Sequence, residues 1–267
     1  MSIFLRTSRA FAVHLALATA AMAGSAAADE AAPGFILDAG EFSRADIQPQ
    51  WFTSNFAIKT SGFRTAWRKA LVSTEDGRMV LQLRPAPDGH DKDFLGSEVQ
   101  RRQRTHYGRY EVVMTAARGD GVISSFFTYT GPWFDDPHDE IDFEFLGRDT
   151  TKVWAMAFAD GQKLSGRWID LGFDAAEAPH LYAFEWHPDR IVWYVDGKEI
   201  LRVTEADGPL PQTPGKIYAN IWAGGKAQRN WSGEAPIWTR AAASYDCMSY
   251  RPFGVDAPQC SDGILRD

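Results

Sequence analysis

The chain has 267 residues, a formal net charge of −7 and ten tryptophans. An acidic chain without a basic block argues against nucleic acid and against an anionic membrane surface as partners. Once an export signal is set aside, about 240 residues remain, enough for one large domain with a substantial core.

Residues 1–28 read as that export signal. Arg6 and Arg9 precede an apolar run from Phe11 to Ala23, which is too short to span a bilayer comfortably. Ala26 and Ala28 then stand at the minus-three and minus-one positions of a cleavage site. The mature chain is expected to start near Asp29 and to be secreted or periplasmic. Residues 29–267 are read as a single domain, monomeric and free of the membrane after signal removal.

From Phe35 onward, short apolar or alternating segments recur between turn signals. They include Arg78–Leu83, Gly108–Met114, Val122–Tyr129, Val153–Phe158, Leu181–His187, Ile191–Val195 and Lys216–Trp222. Val, Ile, Phe, Tyr and Trp dominate them, and Asp-Gly pairs at 76–77, 88–89, 160–161 and 196–197 punctuate them, as hairpin chemistry requires. Helical periodicity is scarce, with one candidate turn at Ala175–Ala178. The pattern predicts an all-β fold, an antiparallel β-sandwich or jelly roll.

Arg101, Arg102 and Arg104 form a basic trio too short to overturn the acidic balance. It reads as a solvated strand or loop face, with contact to an acidic polymer as the alternative. Near the C-terminus, Cys247 and Cys260 could close a small loop in an oxidising compartment, contributing about 3 kcal/mol in the chain-entropy model. No His or Cys stands at ligand spacing from them, so a metal site is poorly supported there.

The stretch Asp139–Gly147 stands apart. On a strand, Glu140, Asp142 and Glu144 share one face, and Ile141, Phe143 and Phe145 share the other. Like charges on neighbouring positions repel, and no Lys or Arg interrupts the set. Glu140 and Glu144 would have Cα atoms about 13 Å apart on a straight strand. Side chains leaning together could bring the carboxyls to about 5–6 Å, the separation of a retaining glycosidase. Asp142 between them would help to separate the ionisation states. The symmetry of the pattern leaves open which Glu attacks and which donates the proton.

His138–Gly147 resembles the signature of glycoside hydrolase family 16, in the Glu-x-Asp-x-Glu form of lichenases and xyloglucan endotransglycosylases. Tyr107–Val112, Ser124–Pro132, Asp149–Val153, Leu171–Ala176, Tyr182–Trp186 and Trp193–Gly197 resemble bacterial endo-β-1,3-1,4-glucanases in the same order. The chain is also similar to succinoglycan-depolymerising glycanases. The resemblance implies a jelly roll with a concave polysaccharide-binding cleft, Glu140 as nucleophile, Asp142 as assisting carboxylate and Glu144 as acid/base. It implies a retaining endo-β-glycanase acting on β-1,3-1,4-linked glucan or a related exopolysaccharide. No cofactor is required, although lichenase-like proteins often carry a structural calcium, and Asp246 falls near one such position.

Positions matching the family's cleft are Glu98, Phe127, Tyr129, Asn220, Trp222 and Trp231. Alternation supports Asn220 and Trp222 sharing a face. His138 replaces a Trp and reads either as a plain surface histidine or as a group that tunes the acids or walls a subsite, while Met156 and Phe158 replace hydroxyl-binding groups, which puts strict lichenan specificity in doubt. Two other readings remain open: a xyloglucan-type transglycosylase using the same covalent intermediate, and a non-catalytic glycan-binding jelly roll.

Overall fold

The computed structural model describes residues 33–44, 48–59, 63–164 and 166–264; the export-signal reading of residues 1–28 lies outside the described residues. Turn chemistry sets the architecture. At Asp196-Gly197 two successive positive φ values, 47° and 77°, give the tight turn whose twist matches antiparallel strands. It joins Arg190–Val195 to Lys198–Thr204. Asp76-Gly77 and Asp160-Gly161 repeat the same conformation at two further hairpins.

The strands form the two antiparallel layers of a jelly roll. One layer runs, in spatial order, Arg167–Asp170, Lys152–Ala159, Asp139–Leu146, Val122–Thr130, Lys216–Ala223, Phe94–Arg101 and Trp51–Thr53. The other runs Lys198–Thr204, Arg190–Val195, His180–Trp186, Gly108–Thr115 and Ala241–Pro252. The far side of Ala241–Pro252 is shared by Arg78–Pro85 and Phe35–Asp38. The layers meet at one corner, where Arg84 and Pro85 pair with Leu95 and Phe94.

Alternation assigns the faces of the first layer. Ile141, Phe143 and Phe145 are fully buried and join Phe126, Ile217, Ala219 and Ile221 in the core between the layers. Tyr182 of the opposite layer meets Phe143 and Phe145 edge-on, at 5.7 and 4.7 Å between ring centroids. Truncating Phe143 to Ala would cost about 3–5 kcal/mol in lost burial and residual cavity. The acids of the same strand must therefore lie on the opposite face, because reversing the register would turn them into the apolar core between the layers.

Three details bear on the sequence reading. Ala175–Ala178 is a hydrogen-bonded turn rather than a helix, with the Glu177 N–H donating to the Asp174 carbonyl at 3.0 Å. Cys247 and Cys260 are disulfide-bonded, with Cα atoms 5.8 Å apart. The arginine trio does not act as one face. Arg101 is buried, with its guanidinium 3.8 Å from the Phe35 ring centroid, while Arg102 lies over Phe52.

At Asp246, Arg78 donates to Oδ1 at 2.8 Å, while Oδ2 is buried without a partner. Among the described residues no cluster of three His, Cys, Asp or Glu side chains could hold a metal.

Candidate active site

Strand register converts the outer face of the first layer into rows that cross the strands, with neighbouring Cβ atoms about 4.5–5.5 Å apart. One row contains Trp154, Glu144, Ser125, Asn220 and Glu98. The next contains Met156, Asp142, Phe127, Tyr218, Gln100 and Phe52. A third contains Phe158, Glu140, Tyr129 and Lys216. Each acid of the trio thus heads its own lane.

The Glu144 row is polar and largely dry. Burial, then the charge of Glu140, pushes the Glu144 carboxyl up to about 8, against a smaller opposing effect of Lys163. Glu98 is buried and rises to about 7, because burial outweighs the hydrogen bonds donated by the Ser54 hydroxyl at 2.6 Å and the Asn220 amide at 3.3 Å. Asn220 Oδ1 and Ser125 Oγ are buried without partners. Buried polar atoms are normally paired, so these two are the unsatisfied groups of the row. At the sheet edge, Trp168 meets Trp154 at 5.0 Å, and Lys163 Nζ lies 4.8 Å from the centroid of the Trp154 ring.

Asp142 occupies the middle lane at 1% exposure, and neither carboxyl oxygen has a partner. Burial, followed by the charges of Glu144 and Glu140, holds it protonated well above the usual carboxylate range. Beside it Phe127 stacks on Tyr218, with ring centroids 4.9 Å apart.

In the third lane His138 lies with Nε2 2.7 Å from Glu140 Oε2. Its ring stacks on Phe158 at 4.6 Å and meets Tyr129 edge-on at 5.3 Å. The hydrogen bond to Glu140 is the leading reason that the imidazole is raised above its ordinary range, with burial opposing. His138 is therefore a hydrogen-bond partner of Glu140, held between two rings.

The opposite layer fixes these positions from below. The Trp193 indole N–H donates to the Asp142 carbonyl at 3.1 Å, and the Tyr245 hydroxyl approaches the carbonyls of Ser125 and Asn220 at 3.0 and 3.3 Å. Asp139, at the start of the acid strand, spends its carboxylate on the backbone N–H groups of Asp160, Gln212 and Thr213, each at 2.8 Å. That acid anchors loops and leaves the other three to the cleft.

Glu98, Phe127, Tyr129, His138 and Asn220 lie in or beside these lanes. Trp222 is only 7% exposed: it packs with Trp67, Ile123 and Leu146, and Phe63 and Trp231 cover the cluster. Trp222 is thus a covered ring with Trp231 beside it. Sequence reasoning passed over Ser125, Tyr218, Gln100, Trp154, Trp168 and Lys163. The signal for Trp154 was present, because its parity matches Met156 and Phe158, but the others needed the register between strands that are distant in sequence.

Fold and site define a class: an antiparallel jelly roll with two glutamates and an intervening buried aspartate on the sheet face away from its core, bordered by aromatic rings. The chain belongs to the glycosyl hydrolases family 16, whose profile matches residues 59–240. It is 40% identical over 220 residues to a beta-glucanase of Acetivibrio thermocellus, covering 80% of this chain and 62% of that protein. Against a beta-glucanase of Bacillus subtilis the identity is 42% over 209 residues, or 74% of this chain and 82% of the relative. A crystal structure of a prokaryotic beta-1,3-1,4-glucanase (lichenase) from a mouse hindgut metagenome superposes with a TM-score of 0.76 at 36% identity. That match covers 83% of this chain and 100% of the other. The chain therefore spans less than two thirds of the A. thermocellus relative's length.

Proposed function

We propose that the protein is an exported retaining endo-β-glucanase that hydrolyses β-1,3-1,4-linked glucan or a related bacterial exopolysaccharide. The observation that carries this reading is the unequal pair on one strand face: Glu144, pushed up to about 8, shares its surface with Glu140 beside a hydrogen-bonding imidazole. Two carboxyl groups in different environments are what acid/base and nucleophile roles require. The family match and the beta-glucanase relatives support the substrate class. The Cys247–Cys260 bond accords with an oxidising compartment.

In the first step a Glu140 carboxylate oxygen attacks the anomeric carbon, the glycosidic C–O bond breaks, and the protonated Glu144 carboxyl gives its proton to the leaving oxygen. In the second, Glu144 as carboxylate takes a proton from water, whose oxygen displaces Glu140 with net retention. Protonated Asp142 between them contributes no third negative charge to the oxocarbenium-forming site and can donate a hydrogen bond toward Glu140. The reaction needs no cofactor.

Azide tests the assignment. Glu140→Ala should be inactive on lichenan and recover with azide to give the α-glycosyl azide. Glu144→Ala should give the β-glycosyl azide on an activated substrate. Exchanged stereochemistry would swap the roles, and longer chains formed with an added oligosaccharide acceptor would favour a transglycosylase.

A further inference from the structure

The Glu140 side of the cleft carries cations that this reaction does not use. Lys216 lies opposite Tyr129, which lies opposite Glu140. Two inter-strand spacings put its Cα about 10 Å from that of Glu140. Its strand neighbours Ile217 and Ala219 face the core, so Lys216 and Tyr218 face the cleft. The Lys216 ammonium and the Arg104 guanidinium approach one ring, Phe134, at 4.6 and 5.6 Å from its centroid. Arg102 lies 5.3 Å from the centroid of Phe52, which belongs to the same row as Asp142.

Their charges are unequally matched. Arg104 is tied to Asp136 at 2.5 Å, whereas no carboxylate pairs with Lys216 or Arg102 among the described residues. Burial, then the charges of Arg104 and Arg102, lowers the Lys216 ammonium, so the three cations act on one another. In the same loop as Phe134, Trp133 is 88% exposed. A chain of net charge −7 thus gathers under-compensated positive charge on the sheet face that carries its acids, next to the loop of Phe134. Like charges held together at a surface raise the local potential and favour an anion there.

We propose that Lys216 and Arg102, with Arg104 held in place by Asp136, form a subsite for a carboxylate-bearing sugar unit of the β-glucan chain. The proposal rests on the glycanase reading and extends it to an anionic substrate. A polymer-borne carboxylate fits better than a free anion, because Lys216 shares the sheet face of the acids, two strands from Glu140, where a bound sugar chain would run. Arg101, turned to the other side and buried, takes no part.

The test compares neutral mixed-linkage β-glucan with the same polymer after partial oxidation of its C6 hydroxyls to carboxylates, using the full chain. At low ionic strength kcat/KM on the oxidised polymer should exceed that on the neutral one by about fivefold, and the ratio should approach one in about 0.5 M salt as screening sets in. The double variant Lys216→Met, Arg102→Met should bring the low-salt ratio to about one, and Lys216→Arg should retain it. A ratio near one in the unaltered protein, or one the double variant leaves intact, overturns the subsite. If neither polymer is cut, the glycanase reading fails and affinity electrophoresis decides the subsite. Retardation by the oxidised polymer alone, abolished in the double variant, supports it; equal or absent retardation overturns it.

Discussion

The two ends of the acid strand are built differently. Glu144 lies in a lane of buried polar groups, Ser125, Asn220 and Glu98, two of which leave atoms unpaired. Glu140 lies in a lane of rings and nitrogen bases, Phe158, Tyr129, His138 and Lys216. Dry surroundings keep a carboxyl protonated, and an N–H aimed at a carboxylate orients it. The same side chain four residues apart on one strand therefore receives two chemistries from its row-mates across the strands.

The largest break of this contrast comes from Glu144→Gln. Loss of the proposed proton donor should lower kcat/KM on lichenan by about 10²–10⁴-fold, with a smaller loss on substrates carrying an activated leaving group. In the unaltered enzyme activity should fall as pH rises through about 8, where Glu144 loses its proton. Stability follows the same sign. The folded-state value lies above the unfolded 4.5, so the contribution is full below pH 4.5 and is lost as pH rises to about 8. Urea unfolding across this window should show a flatter pH dependence in Glu144→Gln, and an unchanged slope would mean that the Glu144 carboxyl is not raised by folding.

A smaller effect is expected at the other end. His138→Phe keeps a ring to stack on Phe158 and removes the bond to Glu140. We expect kcat to fall about tenfold with KM little changed, because one hydrogen bond to a charged group is worth about 1.5–3 kcal/mol and only part of it acts in the transition state. The imidazole is raised by its bond to Glu140, so its stabilising contribution is full below the unfolded value of 6.5. It is lost as pH rises through the higher folded value. His138→Phe should therefore cost more stability at pH 5 than at pH 9; equal costs at both would show that the pair does not titrate.

Much of this asymmetry was hidden in the chain, while the acids were plain. Alternation over Asp139–Gly147 gave the shared face, and Asp-Gly pairs gave the hairpins at 76–77, 160–161 and 196–197, whereas 88–89 lies within a longer loop between Pro85 and Phe94; both signals are local. Phe94–Arg101 escaped notice because Ser97, Glu98, Gln100 and Arg101 are polar on both parities, yet the strand is buried nearly throughout. Ala241–Pro252 opens on three alanines of low strand propensity and is held by pairing on both sides. Each lane depends on strands far apart in sequence, so the neighbours of Glu144 could not be read from its own segment. Burial of Trp222 likewise depends on Phe63 and Trp231, which come from opposite ends of the chain.

The smallest predicted effect tests whether the core helps to hold the polar lane. Tyr245 is fully buried, and its hydroxyl serves the carbonyls of Ser125 and Asn220, the two row-mates of Glu144 with unpaired side-chain atoms. Tyr245→Phe removes one oxygen and leaves the ring, so no large cavity follows. The net loss should be about 1 kcal/mol, or about 2–4 °C in Tm for a domain of this size. If the hydroxyl also aligns the lane, KM on lichenan should rise about twofold to threefold with kcat nearly constant, because only uniform binding is disturbed. A lowered Tm with unchanged KM would confine Tyr245 to the core and leave the lane held by its own strand pairing.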